Sequence, residues 1–132
     1  MYIRDSYYTT TKGVLEKVKA HVGDVDFAVQ PEILSLLSSG NFGRYADEKG
    51  EMKVCFISNN DITGGNSGSA MFNSKGELLG LAFDGNWEAM GSDILYEPKM
   101  QRTIGVDVRY ILFMIEKYGK AGNLIQELNI LN

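Results

Sequence analysis

The run Thr63-Gly64-Gly65-Asn66-Ser67-Gly68-Ser69-Ala70 places a serine among small residues between two apolar segments. Glycine adopts backbone angles that are closed to other residues, so Gly64 and Gly65 allow the chain to turn sharply. Such a turn can aim the backbone amides of Gly65 and Ser67 at one point, and two amides with a common target form an oxyanion hole. The run therefore predicts a loop that presents Ser67 as a nucleophile.

The same residues are also typical of a flexible β-turn, and the loop alone leaves that alternative open. Two other kinds of loop do not fit. A Gly-x-Ser-x-Gly hydrolase elbow needs a glycine where Ser69 stands, followed by a helix. A phosphate-binding loop needs a lysine at a fixed spacing from its glycines, and none is present there.

Apolar segments on both sides of the loop predict β-strands joined by tight turns. The polar run Asn73-Ser74-Lys75-Gly76 is typical of a hairpin turn between two of them. The segments with strand-like composition are residues 1–10, 52–58, 69–72, 78–83, 94–96 and 103–106. A strand, the glycine loop, a hairpin and a further strand therefore surround the serine.

Other parts of the chain have apolar residues at helical spacing. A helix is predicted from Thr11 to just before Gly23, and Pro31 begins a second one. Asp107 is a candidate N-cap for a third. The predicted helices cover residues 11–22, 31–37, 107–118 and 122–128. Residues 45–51 are predicted to form a polar surface loop.

Three residue types occur once each. Cys55 lies in an apolar strand, where a thiol packs as a small hydrophobe, and one cysteine forms neither an intrachain disulfide nor a metal cluster. His21 lies in the last turn of the first predicted helix, where it interacts with the helix dipole. Trp87 lies in the polar loop of residues 86–93, where it either packs or borders a cleft.

The composition is that of an ordinary globular domain. Of the 132 residues, 44% are hydrophobic and 23% are charged. A net charge of -4 and a pI of about 5.0 give no electrostatic reason to bind nucleic acid or anionic lipid. No apolar run approaches the roughly 20 residues of a membrane span, and the first residues do not form a signal peptide. We expect neither a nucleic-acid partner nor a membrane partner.

A second run, Gly80-Leu81-Ala82-Phe83-Asp84-Gly85, resembles the Gly-Ile-Val-Ser-Trp-Gly strand that lines the substrate cleft of trypsin-like enzymes. Four further segments narrow the resemblance. They are residues 64–69, 83–88 and 106–113 and the Tyr-Tyr-Thr-Thr run of residues 7–10. On these residues the chain is similar to the C-terminal part of the S46 family of dipeptidyl peptidases, over most of its length.

The resemblance implies a mixed, mainly β fold, the C-terminal half of a chymotrypsin-like double β-barrel with flanking helices. Residues 1–132 would then form one partial domain that carries the nucleophile of a larger peptidase. It also implies periplasmic or cell-surface localisation in a Gram-negative bacterium and allows a homodimer. No cofactor or metal is expected.

A serine needs a base to take its proton, and His21 is the only histidine in the chain. Its helical placement argues against that role. The resemblance implies that the catalytic histidine and aspartate come from an N-terminal segment that precedes these residues. We therefore expect the isolated chain to be inactive, with Ser67 as its nucleophile and the amides of Gly65 and Ser67 as its oxyanion donors.

The cleft-like strand contributes three candidate substrate-binding residues, Phe83, Asp84 and Gly85. A carboxylate at the end of an apolar strand either serves a turn or points into a cleft. In the resembled family the matching aspartate holds the α-amino group of the substrate, which selects a free N-terminus. Family members that cleave after Asp or Glu carry an arginine at the position of Gly85, so the glycine implies an open pocket for apolar residues.

The sequence thus predicts a serine-type dipeptidyl peptidase that releases N-terminal dipeptides with a hydrophobic residue before the scissile bond. Its partners are peptide substrates and the rest of the peptidase chain. Two alternatives remain open. One is a trypsin-like serine endopeptidase, which would use Ser67 but not Asp84, and the other is a non-catalytic β module in which the glycine loop is only a turn.

Overall fold

The computed structural model describes residues 8–91 and 97–131. Of the strand predicted at residues 1–10, residues 1–7 lie outside the described residues, as does the whole strand predicted at residues 94–96. The chain divides into two compact units, one of Met1–Thr9 and Val54–Val108 and one of Thr10–Lys53 and Arg109–Asn132. The prediction of a single partial domain stays a prediction. In the part of the chain that is described, no helix is both long and apolar enough to cross a membrane.

The first unit is built on a five-stranded sheet. Its strands, in chain order, are β1 (Tyr8–Thr10), β2 (Lys53–Ser58), β3 (Ala70–Phe72), β4 (Leu78–Gly85) and β5 (Thr103–Asp107). The spatial order is β1-β2-β5-β4-β3, and β5 pairs antiparallel with both β2 and β4. The hairpin of β3 and β4 is antiparallel and turns at residues 73–76, as predicted.

The core of the sheet is formed by Phe56, Met71 and Ala82, with Ile62 packed against it. Each of the three lies on a different strand. Side chains of a strand point alternately to the two faces of the sheet, so these three residues can pack together on one face. The pairing of β4 with β5 shifts at Phe83, which forms a β-bulge between Ala82 and Asp84. A bulge re-aims the side chains that follow it, so this one decides how the end of β4 meets the serine loop.

Gly80 is a glycine because of close backbone approach in the sheet. A Cβ atom there would overlap the carbonyl oxygen of Val106 and stand 2.8 Å from the ring of Phe56. Neither group recedes easily, since one is backbone of β5 and the other is a buried ring. We expect Gly80→Ala to destabilise the full-length protein by about 3 kcal/mol or more, measured as a lower Tm and a lower soluble yield.

A matched control for this prediction is Gly13→Ala. Gly13 lies inside a helix, and a Cβ atom there has nothing within 4 Å. Alanine at this position should stabilise by about 0.5 to 1 kcal/mol, because it restricts the unfolded chain. Equal stability of the Gly80→Ala variant and the wild type would contradict the close approach of β4 and β5.

The second unit is helical. Its elements are α1 (Thr11–Ala20), α2 (Pro31–Ser38), α3 (Val108–Phe113), which continues as a π-helix (Met114–Tyr118), and α4 (Gly122–Gln126). The two predicted helices beginning at Thr11 and Pro31 are confirmed, although α1 ends two residues earlier than predicted. The buried hydrophobic side chains of this unit, among the described residues, are Leu37, Phe42, Tyr45, Met52, Leu112, Phe113 and Ile125.

Tyr45 corrects the prediction that residues 45–51 are a polar surface loop. Its ring is 3% exposed and packs edge-on against Phe113, with 6.0 Å between the ring centroids. Its hydroxyl donates a hydrogen bond to the carboxylate of Glu116 at 2.5 Å. Burial raises the pKa of Tyr45, and the hydroxyl of Tyr45 lowers the pKa of Glu116.

The predicted fold class is confirmed: the structure is mixed and mainly β, with a five-stranded sheet and with helices before and after the strands along the chain. The double β-barrel stays a prediction. Cys55 is half-buried rather than fully buried in the core, and burial raises the pKa of its thiol. Asp107 is buried as the last residue of β5, directly before α3.

Candidate active site

The predicted nucleophile loop consists of two successive β-turns. The amide of Asn66 donates to the carbonyl of Thr63 at 3.2 Å, and the amide of Ser69 donates to the carbonyl of Asn66 at 3.0 Å. The third residue of each turn is a glycine with a positive φ, Gly65 at 94° and Gly68 at 90°. This is the requirement of a type II turn, which other residues meet only with strain. The glycines therefore place Ser67 between two sharp bends.

Strand β4 holds the far side of this loop. The amide of Gly68 donates to the carbonyl of Ala82 at 2.7 Å, and the amide of Ala82 donates back to the carbonyl of Ser69 at 2.9 Å. These two bonds extend the pairing of β3 and β4 into the loop. The loop is consequently an ordered extension of the hairpin, which argues against a merely flexible turn.

Asn66 braces the near side of the loop. Its Oδ1 accepts the amide of Thr63 at 2.9 Å and the hydroxyl of Thr63 at 3.2 Å. An asparagine in a glycine-rich turn often forms such a hydrogen bond between its side chain and the nearby backbone. The sequence alone did not show that Thr63 is the partner.

Ser67 faces the β-bulge of β4. Its hydroxyl donates to the carbonyl oxygen of Phe83 at 3.3 Å. Phe83 directly precedes Asp84, and Ser67, Phe83 and Asp84 all line the cleft described below. Phe83 lies at the bulge, where the register of β4 against β5 shifts between Ala82 and Asp84.

The two amides predicted to stabilise an oxyanion belong to Gly65 and Ser67. Among the described residues, neither amide donates to an acceptor, whereas the amides of Asn66, Gly68 and Ser69 all do. An oxyanion hole requires donors beside the serine that are free to bind, and it also requires that they point to one common position. Their role in this chain stays a prediction.

A cleft of about 260 Å³ lies beside the loop. Its lining residues come from the loop, the end of β4 and the turn that follows, and they are Ile62, Thr63, Gly64, Ser67, Phe83, Asp84, Gly85, Asn86, Ala89 and Met90. The structure thus brings four of the five predicted site residues together. The fifth, Gly65, is not among the lining residues, although Gly64 is.

Asp84 is exposed at the mouth of the cleft. Its Oδ1 accepts the amide of Gly85 at 2.8 Å, so one carboxylate oxygen is held by the backbone, and the other has no hydrogen bond among the described residues. Such a group can accept a hydrogen bond from the ammonium group of a ligand.

Gly85 lines the same cleft, but a Cβ atom there would stand 2.8 Å from the Cβ atom of Ala89. The predicted open space at Gly85 is therefore already limited by a neighbour.

The turn after β4 is a 3-10 helix, Trp87–Gly91, and it forms one wall of the cleft. Trp87 is 81% exposed, which excludes the alternative that it packs in the core of its unit. Ala89 and Met90 of this turn line the cleft. Neither is among the predicted site residues, because a turn of small and mixed residues carries no periodic pattern that singles them out.

Among the residues that the structure describes, the hydroxyl of Ser67 is hydrogen-bonded to the carbonyl of Phe83 and to no histidine or carboxylate. The Nδ1 atom of His21 donates to the carbonyl of Lys17 at 2.9 Å, and its ring stacks on Phe27 with centroids 4.0 Å apart. His21 closes α1 in the helical unit, as predicted for a histidine at a helix end. Within residues 8–91 and 97–131, no group of three or more His, Cys, Asp or Glu side chains could hold a metal ion.

The chain is similar to known proteins over nearly all of its length. The chain is 60% identical to the dipeptidyl-peptidase 7 of Porphyromonas endodontalis over 125 residues, which are 95% of the chain and 15% of that protein. It is 58% identical to the dipeptidyl-peptidase 7 of Porphyromonas gingivalis, over 96% of the chain and 17% of the relative. It is 46% identical to the Asp/Glu-specific dipeptidyl-peptidase of Capnocytophaga gingivalis, again covering 96% and 17%.

The fold matches crystal structures of Porphyromonas endodontalis DPP11. In the complex with the dipeptide Arg-Glu, the TM-score is 0.86 at 42% sequence identity, covering 93% of this chain and 17% of that one. The chain therefore spans less than a fifth of the relatives that it matches. The family model of peptidase S46 matches residues 3–130, and the chain belongs to the peptidase S46 family.

Proposed function

We propose that this chain carries the nucleophile of a serine dipeptidyl peptidase, which releases dipeptides from free peptide N-termini and prefers an apolar residue before the scissile bond. One observation carries the proposal. The hydroxyl of Ser67 is hydrogen-bonded to the carbonyl of Phe83, the residue directly before Asp84, and all three line one cleft. A nucleophile and an anchor for an ammonium group thus face the same substrate site.

The reaction would proceed by acyl transfer. The oxygen of Ser67 attacks the carbonyl carbon of the second residue of the peptide, and a base takes the serine proton. The amides of Gly65 and Ser67 are the candidate donors for the oxyanion. As the intermediate collapses, the base gives the proton it took from Ser67 to the leaving nitrogen, so that the shortened peptide departs as an amine. The dipeptide is left esterified to Ser67, and water, activated by the same base, then releases it as the free acid. The base and its orienting carboxylate would be supplied by the rest of the full-length protein.

Asp84 would set where the peptide is cut. Its carboxylate is fixed to the amide of Gly85 and can pair with the α-ammonium of the substrate. A charge-assisted bond of this kind contributes about 1.5 to 3 kcal/mol. Because the anchor lies in the same cleft as Ser67, it favours a bond close to the N-terminus over an internal bond.

The preference for an apolar side chain is supported by the charges around the cleft. No lysine, arginine or histidine is among the cleft residues in the described part of the chain. The carbonyl oxygen of Arg102 lies close to Gly85, which lines the cleft. The guanidinium of Arg102, however, donates to the carbonyls of Pro98, Lys99 and Gln101. An acidic substrate side chain would therefore find no free cation here, whereas an apolar one gains by burial.

A product analysis tests this function. The full-length protein is incubated with one decapeptide that has Leu as its second residue, in free and in N-acetylated form, and the products are weighed by mass spectrometry. We expect release of the N-terminal dipeptide from the free form and no cleavage of the acetylated form. Internal cleavage of both forms would favour the trypsin-like endopeptidase, and no cleavage would favour the non-catalytic module.

Localisation in the periplasm or at the cell surface of a Gram-negative bacterium, and assembly as a homodimer, belong to the same proposal. Both rest on family membership alone. Fractionation of cells that express the full-length protein would test the first, and light scattering of the purified protein the second.

A further inference from the structure

Gly85 is a glycine because of space rather than backbone conformation. Its φ is not positive, unlike those of Gly65 and Gly68, so other residues could adopt its backbone angles. A Cβ atom at Gly85 would stand 2.8 Å from the Cβ atom of Ala89 and 3.6 Å from Cγ2 of Ile62. Contacts between carbon atoms are normally about 3.5 to 4.0 Å. The methyl group of Ala89 therefore occupies the space toward which a side chain at position 85 would extend.

The helix that carries Ala89 is held in place by Asn86. The amide of Asn86 donates to the carbonyl of Arg102 at 2.9 Å, and its Oδ1 accepts the amide of Arg102 at 2.8 Å. Its Nδ2 donates to the carbonyl of Met100 at 2.8 Å and to the carboxylate of Glu88 at 2.7 Å. The amide of Ala89 in turn donates to the carbonyl of Asn86 at 2.9 Å. Ala89 thus lies on a turn whose first residue is anchored by several hydrogen bonds, and these bonds oppose a shift of its methyl group away from Gly85.

We propose that Ala89 is a second determinant of side-chain preference, which acts together with Gly85 on the pocket for the residue before the scissile bond. This inference rests on the proposed function. Positions 85 and 89 share one volume at the wall of the cleft, so a larger side chain at either position reduces the space for the substrate. Gly85 with Ala89 leaves a pocket bounded by a methyl group and by Ile62, which suits a bulky apolar residue.

The first test changes Ala89 in the full-length protein. The kcat/KM values are compared for dipeptidyl fluorogenic substrates that end in Ala or in Phe. We expect Ala89→Val to lower the ratio of Phe to Ala by about tenfold or more, the scale of one or two methylene groups in a pocket. Ala28→Val is the matched control, because Ala28 is exposed and lies in the helical unit; it should leave the ratio unchanged.

The second test uses the pair directly and does not depend on the folding of the valine variant. Gly85→Ala should lower kcat/KM for the Phe substrate. Adding Ala89→Gly to this variant should then raise kcat/KM, by a factor at least about fivefold larger than the factor by which Ala89→Gly alone changes kcat/KM of the wild type. Such non-additivity is expected only of residues in contact. Thermal unfolding of each variant separates loss of fold from loss of fit, since a purely structural role would affect both substrates equally.

The possible results are distinct. A fall of kcat/KM that is the same for Ala and Phe substrates, or additive effects of Gly85→Ala and Ala89→Gly, would overturn the role of Ala89 while leaving the proposed function intact. Absence of dipeptide release by the wild-type protein would overturn the proposed function itself, and this inference with it.

Discussion

Replacing Ser67 by alanine in the full-length protein is expected to lower kcat/KM for dipeptide release by about 10⁴-fold or more. Without the hydroxyl no acyl-enzyme can form, and only binding and oxyanion stabilisation remain. The fold should survive, because the hydroxyl makes a single, long hydrogen bond of 3.3 Å to an exposed carbonyl. Initial rates on a fluorogenic dipeptidyl substrate measure the effect.

Ser69→Ala is the matched control for this change. Ser69 lies in the same loop, and its backbone holds the second turn, but its hydroxyl makes no hydrogen bond within the described residues. Its kcat/KM should stay within a few-fold of the wild type. Activity retained in Ser67→Ala and lost in Ser69→Ala would show that the nucleophile has been assigned to the wrong serine.

Asp84→Asn is expected to lower kcat/KM for substrates with a free N-terminus by about 10 to 100-fold, the equivalent of roughly 1.5 to 3 kcal/mol for a charge-assisted bond. Asparagine keeps an oxygen that can accept the amide of Gly85. The substitution therefore removes the charge and leaves the local backbone bond in place. Rates are measured on matched peptides with a free and a blocked N-terminus.

Asp61→Asn serves as the control for Asp84→Asn. Asp61 is exposed in the same unit and is not among the cleft residues. Its substitution changes the net charge by the same amount, so it reports any general electrostatic effect on substrate approach. An equal loss in both variants, or no loss in Asp84→Asn, would return Asp84 to a role in the turn before Gly85.

Local patterns predicted several elements of the fold and the turns of the serine loop. The strand predicted at residues 52–58 is β2 (Lys53–Ser58), and the helix predicted at residues 31–37 is α2 (Pro31–Ser38). The glycines of the loop were informative because positive φ angles at Gly65 and Gly68 are a property of the residue type itself. Turn type and hydrophobic periodicity depend on residues that are close together in the chain, so they can be predicted directly from the sequence.

The remaining features depend on residues that are distant in the chain. The polar neighbours of Tyr45 predict a surface loop, but its ring is buried against Phe113 and its hydroxyl donates a hydrogen bond to Glu116. The contact of Gly85 with Ala89 depends on the anchoring of Asn86 to Arg102. The bulge at Phe83 depends on the register between β4 and β5. No local pattern encodes such contacts.

The central claim is that Ser67 is the nucleophile of a dipeptidyl peptidase, and covalent labelling tests it most directly. The full-length protein is treated with a fluorophosphonate, digested, and the modified residue is located by peptide mass spectrometry. The account predicts one phosphonylated site, at Ser67, with labelling slowed by a dipeptidyl substrate that has a free N-terminus. Labelling of a different serine, or no labelling in a preparation that releases dipeptides, would contradict it.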